Sequence, residues 1–366
     1  MKNKKTMVLI PALNPSENLI DYIYELKHYG LNNILVVNDG SSERFKKFFE
    51  DLKQIDGVTI LTHAKNLGKG RALKNAFNFF LTLPNIDDFN GIVTCDSDGQ
   101  HRAKDVLNIA NNLEVYPNSL IIGCRDFDSK NVPPKSKFGN KTTVNVFKLL
   151  YRKKITDTQT GLRGFPKNII PEMLDIFGEK FEYETKMLIT CFEKNLNIVE
   201  IPIETVYYNN NAETHFNAIK DSVKIYKVIF TSFFNYILTS LSSFLIDIGL
   251  FKVFVYIFSS SFVKNSYSIF FSSVIARIFS SLFNFFVNKN FVFNGEKSFK
   301  KTIYKYYSLC IFQMLLSSFS VSLLWKITTI NETTIKIIVD TILFLISYRI
   351  QRTWVFKKTR KKTYEK

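Results

Sequence analysis

The chain has 366 residues and little cysteine. Its four cysteines, Cys95, Cys124, Cys191 and Cys310, are scattered, without the paired spacing of a zinc site. They read as reduced, mostly buried thiols of a cytosol-facing protein. Two nucleotide signatures are missing. No Gly-x-Gly-x-x-Gly follows the first apolar run, where Pro11-Ala-Leu-Asn14 stands instead. Gly68-Lys-Gly-Arg71 lacks the spacing of a Walker A loop. Both absences argue against NAD and ATP chemistry. No signal peptide is expected either, because the apolar run behind the basic start stops at Pro11, too short for an h-region. The N-terminal domain is therefore expected to stay in the cytosol. Acidic residues are scarce toward the other end. Residues 233–366 hold 18 Lys/Arg and 5 Asp/Glu, a net of +13, against +4 for residues 1–232. This basic excess sits among long Phe-rich apolar runs, which points to a membrane and away from nucleic acid.

What is present begins with Ile92-Val-Thr-Cys-Asp96-Ser-Asp98-Gly-Gln100-His101. A buried strand runs into two carboxylates two residues apart. Strand alternation lets Asp96 and Asp98 converge on one point. Two hard oxygen ligands there suit Mg²⁺ or Mn²⁺ held jointly with substrate phosphates; an Asp/Gly turn is the plain alternative. Further buried strands are expected at Met7–Ile10, Ile34–Val37, Val58–Leu61 and Leu120–Gly123, with helical patterns between them. Asn14 or Ser16 is a plausible cap for the first helix. Alternating strands and helices imply an α/β fold with a mostly parallel sheet. Ligands of such sheets sit beyond the carboxyl ends of the strands. Asp39, Asn66, Lys69, Asp96, Asp98 and Arg125 all fall there.

Ile10–Glu17, Val37-Asn-Asp39-Gly-Ser-Ser42, Asn66-Leu-Gly-Lys-Gly70, Asp96-Ser-Asp98-Gly-Gln100 and Asp157-Thr-Gln-Thr-Gly-Leu-Arg163 resemble, in order, the motifs of glycosyltransferase family 2. The polyprenyl-phosphate branch, with its dolichyl-phosphate mannose synthases and undecaprenyl-phosphate sugar synthases, is the best match, over roughly residues 6–230. The resemblance implies a Rossmann-like GT-A fold, inverting transfer and a nucleotide-sugar donor. Pro11, Leu13, Asn14 and Glu17 would line the nucleoside pocket, and Asp39 would accept from a base N–H. Lys69, in a flexible Gly-Lys-Gly turn, would reach a phosphate, with a solvated turn lysine as the plain alternative. Asp96, Asp98 and Gln100 would hold the metal that neutralises the leaving diphosphate. Arg125, Lys135, Ser136 and Lys137 would bind the lipid phosphate. Relatives usually carry Arg where Lys135 stands, and lysine binds as a point charge without the bidentate fork. Asp157 resembles a carboxylate near the reacting centre; a carboxylate paired with Arg163 is the alternative, and Arg163 joins the catalytic set. The loop Asn209–Phe216, with His215, matches a mobile loop of relatives.

The first domain is expected over residues 1–215, followed by an amphipathic interfacial helix over 216–232 with Lys220, Lys224 and Lys227 on its polar face. Four spans are expected over 233–258, 267–287, 306–325 and 335–354, each near the ~20 residues a bilayer needs. The stretches Asn235–Gly249, Ala276–Phe293 and Ile346–Phe356 resemble the GtrA-like four-helix family, associated with moving polyprenyl-phosphate sugars across the membrane. An all-α bundle over 233–356 and a basic tail over 357–366 follow. Lysines in Asn288–Lys305 and in the tail place those regions and both termini in the cytosol. Asp247, Arg277, Lys336 and Asp340 fall within or near the spans. The implied donors are UDP-hexoses first and GDP-mannose second; homo-oligomerisation is left open. Rival readings are a processive polysaccharide synthase, to whose Gln-x-x-Arg-Trp motif the near-match Gln351-Arg-Thr-Trp354 has the wrong spacing and a place in the last span, and a non-enzymatic transporter or scaffold.

Overall fold

The computed structural model describes residues 5–127, 134–151, 155–204, 218–260, 265–293 and 298–357. The chain falls into two compact units, Met1–Ile229 and Phe230–Lys366. In the first, β1 (Lys5–Ala12), β2 (Asn33–Asn38), β3 (Val58–Thr62), β4 (Phe89–Thr94), β5 (Ser119–Arg125), β6 (Arg163–Pro166) and β7 (Asn197–Ile203) form one sheet, ordered β3-β2-β1-β4-β6-β5-β7. Between them run α1 (Asn18–His28), α2 (Lys46–Lys53), α3 (Lys69–Leu81), α4 (Ala103–Val115), α5 (Pro134–Tyr151), α6 (Ile170–Leu174) and α7 (Glu182–Lys194). Central strands covered on both faces read as unbroken apolar runs, and Val8–Ile10, Leu35–Val37 and Ile92–Val93 are fully buried.

The pairings are parallel except those of β6, which is antiparallel to both β4 and β5. Its four residues, Arg-Gly-Phe-Pro, were too short and too rich in Gly and Pro to read as a strand. Because β6 runs backwards, the loop that precedes it lies over the carboxyl ends of its neighbours. That insertion carries Asp157 to the same edge as Asp96 and Arg125. At α1 neither Asn14 nor Ser16 caps with its side chain. Asn14 is turned elsewhere: it sits at φ 47°, donates its N–H to Ser41 Oγ (2.9 Å) and accepts from the Ser42 N–H (2.9 Å), latching two loops together.

The second unit's described residues are helical apart from short connections such as 328–331. α8 (Ala218–Ser260) is continuous across the point where an interfacial helix is expected to give way to a span. α9 (Asn265–Val287), α10 (Phe299–Ile327) and α11 (Glu332–Ile350) follow. Among the described residues three stretches are long and apolar enough to cross a membrane, Ile229–Phe258, Ser268–Val292 and Phe299–Ile327. α11, with Lys336, Asp340 and Arg349, is not among them. Asn288–Lys305 is not the loop expected: Lys289 rides on a π turn continuing α9, and Lys300, Lys301 and Lys305 lie on α10.

This unit is internally repeated. α9 and α11 each end in one π turn, Asn288–Val292 and Gln351–Val355, closed by matching bonds from Phe293 N–H to Asn288 O (2.9 Å) and from Phe356 N–H to Gln351 O (2.8 Å). Phe356 lies 63 positions after Phe293, and Tyr306 lies 70 after Tyr236. With those two offsets the contacts of α8–α9 recur in α10–α11. Ser243 Oγ donates to Ser280 O (2.7 Å), and Gln313 Nε2 donates to Leu343 O (3.0 Å). Ring centroids of Tyr236 and Tyr348 are 5.3 Å apart, as are those of Tyr306 and Phe285. Phe293–Tyr348 (5.7 Å) mirrors Phe356–Phe285 (5.8 Å). On the axis between the halves Asn288 Nδ2 donates to Gln351 Oε1 (3.3 Å), and Phe293 stacks on Phe356. Contacts exchanged reciprocally in this way define a pseudo-twofold.

Candidate active site

The carboxyl edge of the sheet gathers the chemistry. β4 ends at Thr94, so Asp96 and Asp98 lie in the turn beyond it, and strand alternation does not set their directions. Other contacts do. The Asp96 backbone N–H donates to His101 Nδ1 (3.2 Å), and the Gln100 N–H donates to Asp98 Oδ1 (3.1 Å). The Asp96 carboxylate lies against Gly161: a Cβ there would stand 2.7 Å from Oδ1 and nearer still to Oδ2. Any side chain at 161 would displace the carboxylate, which gives this glycine a physical reason. Lys69 Nζ reaches Asp96 Oδ1 at 2.7 Å and Glu184 Oε2 at 3.1 Å.

The charges follow from these neighbours. Burial pushes the Asp96 carboxyl up, but the Lys69 ammonium together with His101 and Arg125 holds the group at about 2. Burial, then the charge of Asp96, pushes Asp98 up to about 6. Burial would lower Lys69, yet Asp96 and Glu184 hold it above the usual lysine range. Burial brings His101 down to about 4, leaving a neutral ring whose Nδ1 accepts from the backbone. The loop around Asp96 and Asp98 thus carries uncompensated negative charge, which a hard cation would relieve. Among the described residues no three His, Cys, Asp or Glu side chains cluster. Asp96 and Asp98, with the Gln100 amide, are the residues that would hold Mg²⁺ or Mn²⁺ here, substrate oxygens completing its shell.

Lys69 is the first residue of α3, not part of a flexible turn. Gly68 sits at φ 99°, where a Cβ would meet Glu179 O, and a Cβ on Gly70 would lie 2.6 Å from that of Tyr183. The two glycines let α3 press against the start of α7, and that approach brings Glu184 to Lys69. Asp39 is likewise committed. Its Oδ1 accepts from His63 Nδ1 (2.7 Å) and the Leu67 N–H (2.9 Å), and its Oδ2 from the Gly68 N–H (2.8 Å). Asn75 Nδ2 lies 2.9 Å from His63 Nε2 on the far side of the ring. Asp39 therefore orders the loop that presents Lys69. Pro11 and Ala12 end β1, where Ala12 O accepts from the Asp39 N–H (2.9 Å), Leu13 and Asn14 follow, and Glu17 is exposed at the start of α1.

Asp157 is fully buried and bound bidentately by Arg125, Nε to Oδ2 at 2.6 Å and Nη2 to Oδ1 at 3.0 Å. The pairing of Asp157 with Arg163 does not occur. Arg163 turns into the core, donating to the carbonyls of Thr160 (3.0 Å) and Glu184 (2.8 Å) and approaching Met187 Sδ (3.7 Å). Arg163, the first residue of β6, thereby joins the Asp157 loop to α7. Asn140 binds the same loop through Thr156 O (2.6 Å) and the Thr158 N–H (3.1 Å). Lys137 is half-buried in the first turn of α5. The side chains of Lys135 and Ser136, the Asn209–Phe216 loop with His215, the side chain of Lys220, and the tail beyond Lys357 lie outside the described residues.

Residues 7–172 match the glycosyl transferase family 2 model, and residues 235–356 match the GtrA/DPMS transmembrane domain model. The chain joins a family 2 glycosyltransferase domain to a GtrA/DPMS membrane domain. An uncharacterised protein of Methanocaldococcus jannaschii is 28% identical over 62% of this chain and 92% of its own length. The UDP-N-acetylglucosamine–dolichyl-phosphate N-acetylglucosaminyltransferase of Methanococcus voltae is 27% identical, over 57% of this chain and 88% of its own. Glycosyltransferase AglJ of Haloferax volcanii is 24% identical over 58% and 67%. Glucosyl-3-phosphoglycerate synthase of Mycobacterium tuberculosis is 15% identical over 63% of this chain and 80% of its own, with a TM-score of 0.47. In the glycosyltransferase domain, sequence reading missed Glu184 and the roles of His63, His101 and Gly161. Gly161 stood inside a quoted motif; Glu184 carried no signal beyond being one acid among several on α7. Gln351, from the near-match to the processive motif, is buried in the GtrA/DPMS domain and bonded to Asn288.

Proposed function

We propose that this membrane enzyme transfers a hexose, with inversion, from a nucleotide sugar to the phosphate of a polyprenol on the cytosolic face. The observation that carries the reading is the convergence of Lys69, Asp96, Asp98, Arg125 and Asp157 at one sheet edge, in a chain that also has a membrane domain. The substrates in the name of the Methanococcus voltae relative support a UDP-sugar donor and a polyprenyl-phosphate acceptor. Pro11, Leu13, Asn14, Glu17 and Asp39 hold the nucleoside, and Lys69 faces the diphosphate. Asp96 and Asp98, with Gln100, hold Mg²⁺ or Mn²⁺, which supplies counter-charge to the leaving diphosphate. An acceptor phosphate monoester is already ionised near neutral pH, since its second pKa is about 6. No strong base is then required, and the bidentate bond from Arg125 suits Asp157 to positioning. Arg125 orients the lipid phosphate together with Lys135, Ser136 and Lys137 in the first turn of α5. The membrane domain anchors the enzyme and helps pass the product across the bilayer.

The test is transfer of radiolabel into organic-extractable lipid by the full chain in detergent. UDP-N-acetylglucosamine, UDP-glucose and GDP-mannose are offered against undecaprenyl and dolichyl phosphate. Label in the lipid phase, lost in EDTA, is the expected result; no lipid label from any pair would overturn the reading. Lys135→Ala should raise KM for the lipid far more than KM for the donor. For four spans with cytosolic termini, an impermeant thiol reagent should label Ser260→Cys in intact cells and spare Thr359→Cys.

A further inference from the structure

The pseudo-twofold of the membrane domain makes its two outer faces comparable point by point. Arg277 on α9 corresponds, 63 positions on, to Asp340 on α11. Asp247 on α8 corresponds, 70 on, to Ser317 on α10. Both pairs are in contact: Arg277 Nη2 is 3.2 Å from Asp247 Oδ2, and Ser317 Oγ is 2.5 Å from Asp340 Oδ1. Equivalent positions about an axis parallel to the helices lie at one depth in a bilayer. At that depth one face presents an arginine and the other an aspartate. The Arg277 side chain is 78% exposed although it lies near the middle of the apolar stretch Ser268–Val292. Asp340 is 46% exposed, at the mouth of a groove of about 710 Å³ lined by Val321, Lys336, Ile337, Thr341 and Phe344. A charged side chain standing out of a span is costly in lipid and is found paired or in a polar path.

We infer that the Arg277 face of one chain docks into the Asp340 groove of a second copy, joining chains head to tail in the membrane. The inference rests on the second unit lying in a bilayer and is independent of the transfer reaction. Docking would complete an alternating row of charges: Asp247, Arg277, then the neighbour's Asp340 and Lys336, which are already 2.8 Å apart within one chain. The flanks suit lipid-embedded packing, with Val274, Ile278 and Phe279 exposed around Arg277 and Ile337, Ile338 and Ile342 around Asp340. Two different faces meet, so the contact is heterologous, and such contacts build rings or open chains, never an isologous pair.

Oxidative cross-linking in native membranes reads this directly. Cys95, Cys124 and Cys191 are buried, and Cys310 is replaced by Ala. Arg277→Cys and Asp340→Cys, each expressed alone, should give no cross-linked species. The two single variants co-expressed should give a dimer and nothing larger. Both substitutions in one chain should give a ladder. A homodimer from either single variant would overturn the head-to-tail contact. Lipid-dilution energy transfer on the unsubstituted chain removes dependence on the variants' folding. A self-association that Arg277→Gln weakens at least tenfold supports the contact, and a monomeric unsubstituted chain overturns it.

Discussion

The sheet edge and the bundle axis both gather polar side chains, and they do so by opposite rules. At the sheet edge the groups come from unlike segments, the start of α3, the turn after β4, the end of β5, the loop before β6 and the start of α7, and none has an equivalent elsewhere in the domain. Lys69 answers Asp96 and Glu184, Arg125 answers Asp157, and Asp98 is left with excess charge. On the bundle axis the groups come in equivalents: Asn288 with Gln351, Asn284 with Ser347, Tyr236 with Tyr306. A reaction needs distinct parts, whereas packing two copies of one hairpin needs a self-complementary seam. Surroundings add to the contrast. Water and substrate can satisfy a polar group at an open sheet edge; a bilayer offers neither, so an amide there must find another amide. The sheet edge therefore reads as a reaction site and the axis as the seam that fixes how the hairpins pair.

The largest effect expected is at the edge. Asp96→Ala or Asp98→Ala should cut transfer by about 10²–10³-fold, as removal of a charge-stabilising group does, with the thermal midpoint little changed. Retained activity in either variant would erase the distinction between site and seam. Next comes Asp157→Ala, which strands the mostly buried Arg125. Removing one partner of such a pair costs about 3–5 kcal/mol, read as a lower denaturant midpoint, and Arg125→Ala in the same chain should restore much of it. Glu184→Gln should cost about 1.5–3 kcal/mol of charged hydrogen bonding to Lys69, appearing as a higher KM for donor with lipid KM unchanged. On the axis, Asn288→Leu should lower bundle stability by about 1–2 kcal/mol and leave soluble-domain chemistry intact. Exchanging the amides, Asn288→Gln with Gln351→Asn, should cost less than either change alone. Smallest is a pH effect. Asp98, pushed up to about 6, binds a proton in the folded state where an unfolded aspartate would not. Acidification through that value therefore favours the ligand-free fold and opposes a cation. Mn²⁺ affinity, read by the resonance of the free ion, should fall about twofold from pH 7 to pH 6.

The glycosyltransferase domain was largely legible because strand runs and strand-end motifs are local. Ile34–Val37 and Val58–Leu61 read as buried strands whatever surrounds them, and a parallel sheet then sends their ends to one edge. β6 was not legible: Arg163–Pro166 becomes a strand only by fitting between β4 and β5. Nor was the repeat, since its halves keep two different offsets and share residue chemistry more than residue identity, as with Asn288 and Gln351.

By itself the sequence determined the strands β1 to β5, the residue types at their carboxyl edge, and a basic, Phe-rich membrane half. These rest on apolar periodicity, chain connectivity and composition, which need no partner to be read. Only the tertiary structure decided which carboxylate meets which cation. Arg125 and Asp157 are 32 residues apart and Lys69 and Glu184 are 115, and their meetings depend on one antiparallel strand and on two glycines that let α3 touch α7. The same is true of the bundle, where the depth shared by Arg277 and Asp340 follows from a symmetry of contacts. A contact is a property of two segments at once, and no single stretch of chain encodes it.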